Sequence, residues 1–141
     1  MVKKVLDETD FYPMNLEIEI TEYCLMDTDD MAAGVLNELK AMGIKIAMDD
    51  FGTGYSSLAY LTKLPIDLIK IDKSIVDEIG DGDIVSAICS MGHSLGCEII
   101  AEGVEEERQL HILKEKYCDL IQGYIWSKPL EFENAKKMLY L

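Results

Sequence analysis

Histidine and tryptophan are nearly missing from this chain: it has two histidines, His93 and His111, and a single tryptophan. Cysteine is sparse too, with four residues (Cys24, Cys89, Cys97, Cys118) that form no C-x-x-C and no regular spacing. These shortages exclude a Cys/His zinc module and a disulfide framework as the organising device, and leave reduced, buried thiols as the ordinary reading. Positive charge is also scarce, since 13 Lys and Arg stand against 27 Asp and Glu for a net charge of −14. A surface that acidic repels phosphate backbones, which excludes bulk nucleic-acid or anionic-membrane binding. A phosphate-bearing substrate would need a metal or a local lysine to offset that field. There is no long apolar run either. The longest stretch free of Asp, Glu, Lys and Arg, from Ile84 to Cys97, is too short and too rich in Gly and Ser to cross a bilayer. No signal peptide opens the chain, so a cytoplasmic location is expected, as a domain or as a piece of a larger signalling protein.

What is present is a core. Of the 141 residues 49% are apolar, enough for one domain spanning residues 1–141, with no linker or low-complexity segment to divide it. Asn15 to Thr21 alternates strictly and reads as a strand. Asp27 to Asp30 then supply N-cap and first-turn acids to a helix with Ala32, Val35, Leu36, Leu39 and Met42 on its apolar stripe, stopped by Gly43. Ile44 to Met48 is a second strand, and a loop with Gly52 and Gly54 leads to a short helix over 57–63. Asp67 to Asp72 is a third strand. Asp83 caps a helix carrying Ile84, Ala87, Ile88, Met91 and Leu95, closed by Gly96. Glu98 to Ala101, a helix over 105–117, a fifth strand from Leu120 to Tyr124 and a last helix with Phe132, Ala135, Met138 and Leu139 complete the pattern. A short helix with Val2, Val5 and Leu6 precedes it all. The methionines fall on these stripes and read as core filler.

Strand–helix alternation with short connections predicts a parallel α/β sheet. A doubly wound sheet buries both faces, so its strands are nearly all apolar. Here one face of each strand is polar: Glu17, Glu19 and Thr21; Lys45 and Asp49; Lys70 and Asp72; Glu98 and Glu102; Gln122. That suits a (β/α) barrel of the TIM type, whose lumen carries polar groups at the catalytic mouth. Five βα units cannot close the eight-stranded form, so the expectation is an incomplete barrel, its C-terminal part.

The strand ends at the C-terminal face offer Glu19, Asp49, Asp50, Lys70, Asp72, Glu102 and Gln122. Oxygen donors gathered without histidine suit a hard cation such as Mg²⁺ or Mn²⁺. Adjacent carboxylates such as Asp49 and Asp50 point in different directions and together can hold two cations, a standard arrangement for phosphodiester hydrolysis. Lys70 has a second reading as a lumen ion pair with Asp72. Glu105 has one as a helix N-terminal acid. Gly92-His-Ser-Leu-Gly96 matches the G-x-S-x-G of α/β-hydrolases but lies between a helical stripe and a strand, the reverse of the context that motif needs.

The segment Asp49-Asp50-Phe51-Gly52-Thr53-Gly54-Tyr55-Ser56-Ser57-Leu58 resembles the metal-binding loop of EAL domains, the bacterial cyclic-di-GMP phosphodiesterases. Glu19-Ile-Thr-Glu22, Pro65-Ile-Asp-Leu-Ile-Lys-Ile-Asp72, Ala101-Glu-Gly-Val-Glu105 and Gln122-Gly-Tyr-Ile-Trp-Ser-Lys-Pro-Leu130 follow in that family's order. The resemblance implies that Glu19, Asp49 and Asp50 are ligands of a two-metal Mg²⁺ or Mn²⁺ site, with Asp49 shared between the ions. It implies that Lys70 orients the attacking water, Glu102 serves metal or water activation, and Gln122 orients water. Glu22 and Glu105 are implied to hold the Gly-rich loop and site in place. The implied reaction opens cyclic-di-GMP to the linear dinucleotide pGpG. The chain starts after the family's Glu-Ala-Leu motif and after the strand that supplies an Asn ligand, so the isolated chain is expected to be inactive. A non-catalytic module that binds the dinucleotide or a protein is the other class. An open sheet edge is expected to favour a homodimer.

Overall fold

The architecture was obtained as a computed structural model, which describes residues 1–21, 30–53, 61–80 and 84–139. Five strands hydrogen-bond in sequence order, β1 (Glu17–Thr21), β2 (Lys45–Phe51), β3 (Leu68–Ile71), β4 (Glu98–Glu102) and β5 (Leu120–Gln122). Every pairing is parallel. Parallel neighbours need crossovers, and described helices supply them between β1 and β2, β3 and β4, and β4 and β5. The helices are α1 (Val2–Thr9), α2 (Asp30–Ala41), α3 (Lys73–Asp77), α4 (Ile84–Ser94), α5 (Glu107–Glu115) and α6 (Phe132–Leu139), with a 3₁₀ turn at Pro13–Asn15. The sheet is open, with β1 and β5 as its edges. This is the incomplete barrel expected from the one-sided polarity of the strands.

Register carries that polarity across the sheet. Glu19 pairs with Ala47, Thr21 with Asp49, Lys70 with Ile100 and Glu102 with Gln122, so the polar set shares one face. The opposite face is apolar: Ile46, Met48, Ile69, Ile71, Ile99 and Ala101 are buried, and Val76, Val85, Cys89 and Leu113 of the helices join that core. A smaller cluster around Leu6, Leu36, Ile44 and Ile46 seats α1 and α2. Each fully buried Ile or Leu contributes on the order of 1.5–3 kcal/mol, which fixes which face meets the helices.

Several boundaries differ from the sequence expectation. The second strand runs on to Phe51, and the third is shorter because Asp67 and Asp72 leave the ladder for other partners. The short helix α3 was not expected. The helix expected over 57–63, and the caps Asp27 to Asp29 and Asp83, lie wholly or mostly outside the described residues. The helix stops stand: Gly43 and Gly96 follow α2 and α4 with φ of 89° and 78°, a left-handed backbone that glycine adopts without strain.

At the N-terminal end of the sheet one device occurs twice. Asp67, just before β3, accepts the Ile46 N–H at 2.9 Å and binds Lys40 from the last turn of α2. Asp119, just before β5, accepts the Ile99 N–H at 2.8 Å and pairs with His93 Nε2 of α4 at 2.7 Å. Each aspartate thus ties the end of a helix to the strand that follows it. Burial works against the charge of Asp119, but the bonds from His93 and the Ile99 N–H outweigh it and hold the carboxyl below the ordinary aspartate value. A depressed pKa adds stability above the unfolded-state value, near pH 4, and that stability is lost as pH falls through the folded-state value. Asp119→Ala is therefore expected to cost about 1–2 kcal/mol near pH 7, since it strands a buried amide beside a partly solvated pair, and to flatten the acid limb below about pH 4. Urea unfolding across pH measures both; an unchanged midpoint and acid limb would contradict this role.

Candidate active site

The polar face converges on one side chain. Lys70 is 5% exposed at the C-terminal end of β3, and its ammonium lies 2.7 Å from Glu102 Oε1, 2.6 Å from Glu19 Oε1 and 3.1 Å from Asp49 Oδ1. These carboxylates come from β4, β1 and β2, so four strands contribute one group each. Lateral register puts Asp49 and Glu102 there, since adjacent strands lie about 4.8 Å apart, closer than the roughly 6.6 Å between residues i and i+2 along one strand, and Glu19 reaches in across β2. Burial opposes the charge on Lys70, but the bonds to Glu102, Glu19 and Asp49 outweigh it and hold the ammonium well above the ordinary lysine value. It is cationic at any working pH. Three carboxylates around one ammonium still leave an excess of negative charge, a setting that attracts a further cation.

Asp72 is not part of this cluster, which corrects the lumen ion-pair reading. Its carboxylate caps α3, accepting from the Ser74 N–H at 3.0 Å and from the Ser74 hydroxyl. Those bonds pull its pKa down.

Asp49 and Asp50 part company through a β-bulge. The β2–β3 register shifts between Met48 and Phe51, and Asp50 takes a left-handed backbone with φ of 55°. The extra residue turns the strand so that Asp49 reaches Lys70 while Asp50 stays exposed on the turn. The Asp50 N–H donates to Asp49 Oδ1 at 3.0 Å, and the Thr53 hydroxyl donates to the Asp50 carbonyl at 2.9 Å, which fixes the bend. Glu22 and the loop residues Gly54 to Leu58 lie outside the described residues.

Gln122 and Glu105 stand beside this centre, apart from the Lys70 contacts. They line an open groove of about 570 Å³ together with Lys73, Tyr124, Ser127 and Lys128. Glu105 pairs with Lys73 Nζ at 3.1 Å, and Lys73 also reaches Asp77 at 2.9 Å. The helix N-terminus itself is capped by Glu106, so the helix-acid reading of Glu105 is not what its side chain does. Lys128 Nζ sits 5.6 Å from the Tyr124 ring centre. Gly123 is the hinge of this wall: a Cβ there would lie 2.0 Å from the Val104 carbonyl oxygen, so only glycine permits the close backbone approach. Sequence reasoning passed over Lys73, Tyr124 and Lys128 as groove residues. The available signal was Asp72-Lys73-Ser74, an N-cap pattern that turns the chain at the strand end.

The donor chemistry fits a hard divalent cation: Glu19, Asp49, Asp50 and Glu102 all offer carboxylate oxygens. Among the described residues no group of three or more His, Cys, Asp and Glu is arranged to hold an ion by itself. The three carboxylates converge on Lys70 instead. Ser94 closes α4 and gives its hydroxyl to the Met91 carbonyl at 2.6 Å, so the hydrolase-like G-x-S-x-G is a helix end.

The family model described as "EAL domain" matches residues 1–129. Among curated proteins, the cyclic di-GMP phosphodiesterase NbdA of Pseudomonas aeruginosa is 40% identical over 98% of this chain, which spans 18% of NbdA. A solved structure titled "PaMucR Phosphodiesterase, c-di-GMP complex" superposes with a TM-score of 0.89 at 39% identity, covering 95% of this chain and 56% of that one. The Klebsiella pneumoniae BlrP1 manganese/cy-diGMP complex gives a TM-score of 0.82 at 33% identity, covering 91% of this chain and 34% of that one.

Proposed function

This chain belongs to the EAL domain family, and we propose that it forms the C-terminal part of a metal-dependent phosphodiesterase that opens cyclic-di-GMP to linear pGpG. The observation that carries the reading is the buried Lys70 ammonium gathered by strand-end carboxylates from three other strands of the sheet. That arrangement sits at the face where barrel enzymes place their chemistry.

Glu19, Asp49 and Asp50 would hold the metal, Mg²⁺ or Mn²⁺. When bound, a divalent pair supplies an acidified water and neutralises charge on the phosphoryl oxygens. The chain's own groups do the rest. Lys70 keeps a fixed positive charge beside the reacting phosphodiester and offsets the acidic field that would otherwise repel it. Glu102, anchored to Lys70, orients the water and accepts its proton, and Gln122 orients the same water from the next strand. Glu105, through Lys73, steadies the strand-end loop, and Glu22 is assigned a like role in the Gly-rich loop. The groove beside Gln122, with Lys73, Lys128 and the Tyr124 ring, suits an anionic, aromatic ligand. Related proteins solved with cyclic-di-GMP support the dinucleotide as that ligand, and the acidic composition argues against bulk nucleic acid.

Two further parts of the reading concern the 141-residue chain by itself. Among the described residues β1 and β5 are the edge strands of the sheet, and Trp126, Phe132 and Leu139, which follow β5 in the chain, are 67%, 76% and 83% exposed. Two copies would cover these surfaces, so a homodimer with a sheet edge or the open lumen at its contact is proposed, in the cytoplasm. Hydrolysis by the isolated chain is expected to be immeasurable. Sedimentation at micromolar concentration together with an assay for pGpG tests both: a folded monomer would overturn the pairing, and robust turnover would overturn the inactivity. Tight binding of cyclic-di-GMP without turnover in a complete domain would favour the regulatory-module reading.

A further inference from the structure

Among the described residues two polar side chains are buried, Lys70 and Gln109. The first belongs to the site already described. Gln109 lies on the first turn of α5 and uses its amide on three partners. Its Oε1 accepts the Glu106 N–H at 3.0 Å and the Glu105 N–H at 2.8 Å, and its Nε2 donates to the Val76 carbonyl at 3.4 Å. Only one orientation of the amide serves two N–H donors and one carbonyl. A capping box accounts for the Glu106 bond alone. The other two reach beyond α5, one to the loop leaving β4 and one to α3.

Those two segments flank the bond between Lys70 and Glu102. Helix α3 follows β3 directly through its Asp72 N-cap, and the 103–106 loop follows Glu102. A second contact holds the same segments together. Lys73 lies along Gly103, where a Cβ would stand 2.4 Å from Lys73 Cγ, and its ammonium meets the Gly103 carbonyl at 3.4 Å and Glu105 at 3.1 Å. Between these two holds the buried Val104 passes the position on to β5. Its N–H donates to the Gln122 carbonyl at 3.1 Å, and its own carbonyl accepts the Ile125 N–H at 3.0 Å.

We propose that Gln109 is a positioning residue of the hydrolytic centre. By tying α3 to the loop after β4 it fixes the separation of Lys70 and Glu102, and through Val104 it fixes the placement of Gln122. This assignment rests on the hydrolytic reading of those three residues. Gln109 acts through backbone N–H and C=O groups, so its effect on the reaction is geometric. A misplacement of about 1 Å at a reacting group costs up to about 10²-fold in rate, which makes a buried tie at this point a determinant of kcat as well as of helix stability.

Gln109→Glu separates the tie from the cap. An ionised glutamate still accepts from both N–H groups and is an ordinary capping-box residue, but it cannot donate to the Val76 carbonyl. In a complete EAL domain carrying these residues, with Mn²⁺ and at a temperature where circular dichroism shows each protein folded, the variant is expected to lower kcat about tenfold with KM within about twofold. Arg108→Ala, exposed on the same turn, is expected to match wild type. In the 141-residue chain, hydrogen exchange followed by NMR is expected to speed at least about tenfold at the Val104 and Ile125 amides of Gln109→Glu, while the amides of β1 and β2 keep their wild-type rates. Wild-type kcat, or exchange unchanged at Val104 and Ile125, would reduce Gln109 to a helix cap and overturn the assignment. Uniform speeding across the sheet, the mark of simple destabilisation, would overturn it too. If the buried glutamate does not fold, Gln109→Met carries the exchange measurement: speeding that extends to Val104 and Ile125 supports the tie, and speeding confined to Glu105 and Glu106 overturns it. A wild-type domain without turnover would count against the hydrolytic reading, whereas the exchange measurement needs no substrate and decides the tie by itself.

Discussion

Asp49→Asn in a complete EAL domain carrying this segment is expected to abolish hydrolysis of cyclic-di-GMP, a loss of at least about 10³-fold, with Mg²⁺ or Mn²⁺ supplied. The reason is double. The substitution removes a carboxylate oxygen proposed to bind metal, and it replaces one of the three acceptors that hold Lys70. The second effect is the smaller, because Glu19 and Glu102 still grip the ammonium at 2.6 and 2.7 Å. Removing one group that stabilises transition-state charge costs about 10²–10³ on its own, and loss of metal adds to that. His93→Ala is the matched comparison. His93 lies at the opposite end of the sheet on Asp119, so turnover by that variant should stay close to wild type. Initial rates of pGpG formation for both variants check the pair of expectations.

Lys70→Ala is expected to be the most destabilising single change at the polar face. Truncation leaves Glu19, Asp49 and Glu102 facing one another with no cation between them. A fully buried pair broken this way costs 3–5 kcal/mol. Here the carboxylates keep 48%, 22% and 18% exposure, so water screens part of the repulsion. About 2–3 kcal/mol near neutral pH is the expectation. Urea unfolding of the 141-residue chain without metal measures it. Added Mn²⁺ is expected to recover part of the loss, because a second cation can sit among the same oxygens. A variant as stable as wild type would mean that the three carboxylates do not depend on Lys70.

The face that carries chemistry was legible in the sequence because strand periodicity is local. Glu17, Glu19 and Thr21 alternate with Ile18 and Ile20, so one strand declares both its faces. The same reading placed Asp49, Lys70, Glu102 and Gln122 on one side of the sheet. It could not say which of them touch. Lys70 and Asp72 are close in sequence, yet the nearer neighbours are lateral, and register is a property of the assembled sheet. The bulge at Asp50 was hidden for a related reason: aspartate tolerates a left-handed backbone but does not announce one. Helix α3 has five residues, too few for a period, and only its Asp72-Lys73-Ser74 cap marks it. The Asp67 and Asp119 ties link residues about twenty positions apart, so the repeated Asp-Leu-Ile of 67–69 and 119–121 does not by itself show which helix and strand each aspartate fastens.

The central claim is that the carboxylates gathered on Lys70 belong to a hydrolytic centre. Its most direct test is chromatographic analysis of cyclic-di-GMP incubated with Mn²⁺ and a complete EAL domain that carries these residues, wild type beside Lys70→Ala. The account predicts conversion to linear pGpG by the wild type and none above background by the variant. Cyclic-di-GMP recovered bound but intact from the wild type, or equal conversion by both proteins, would contradict it.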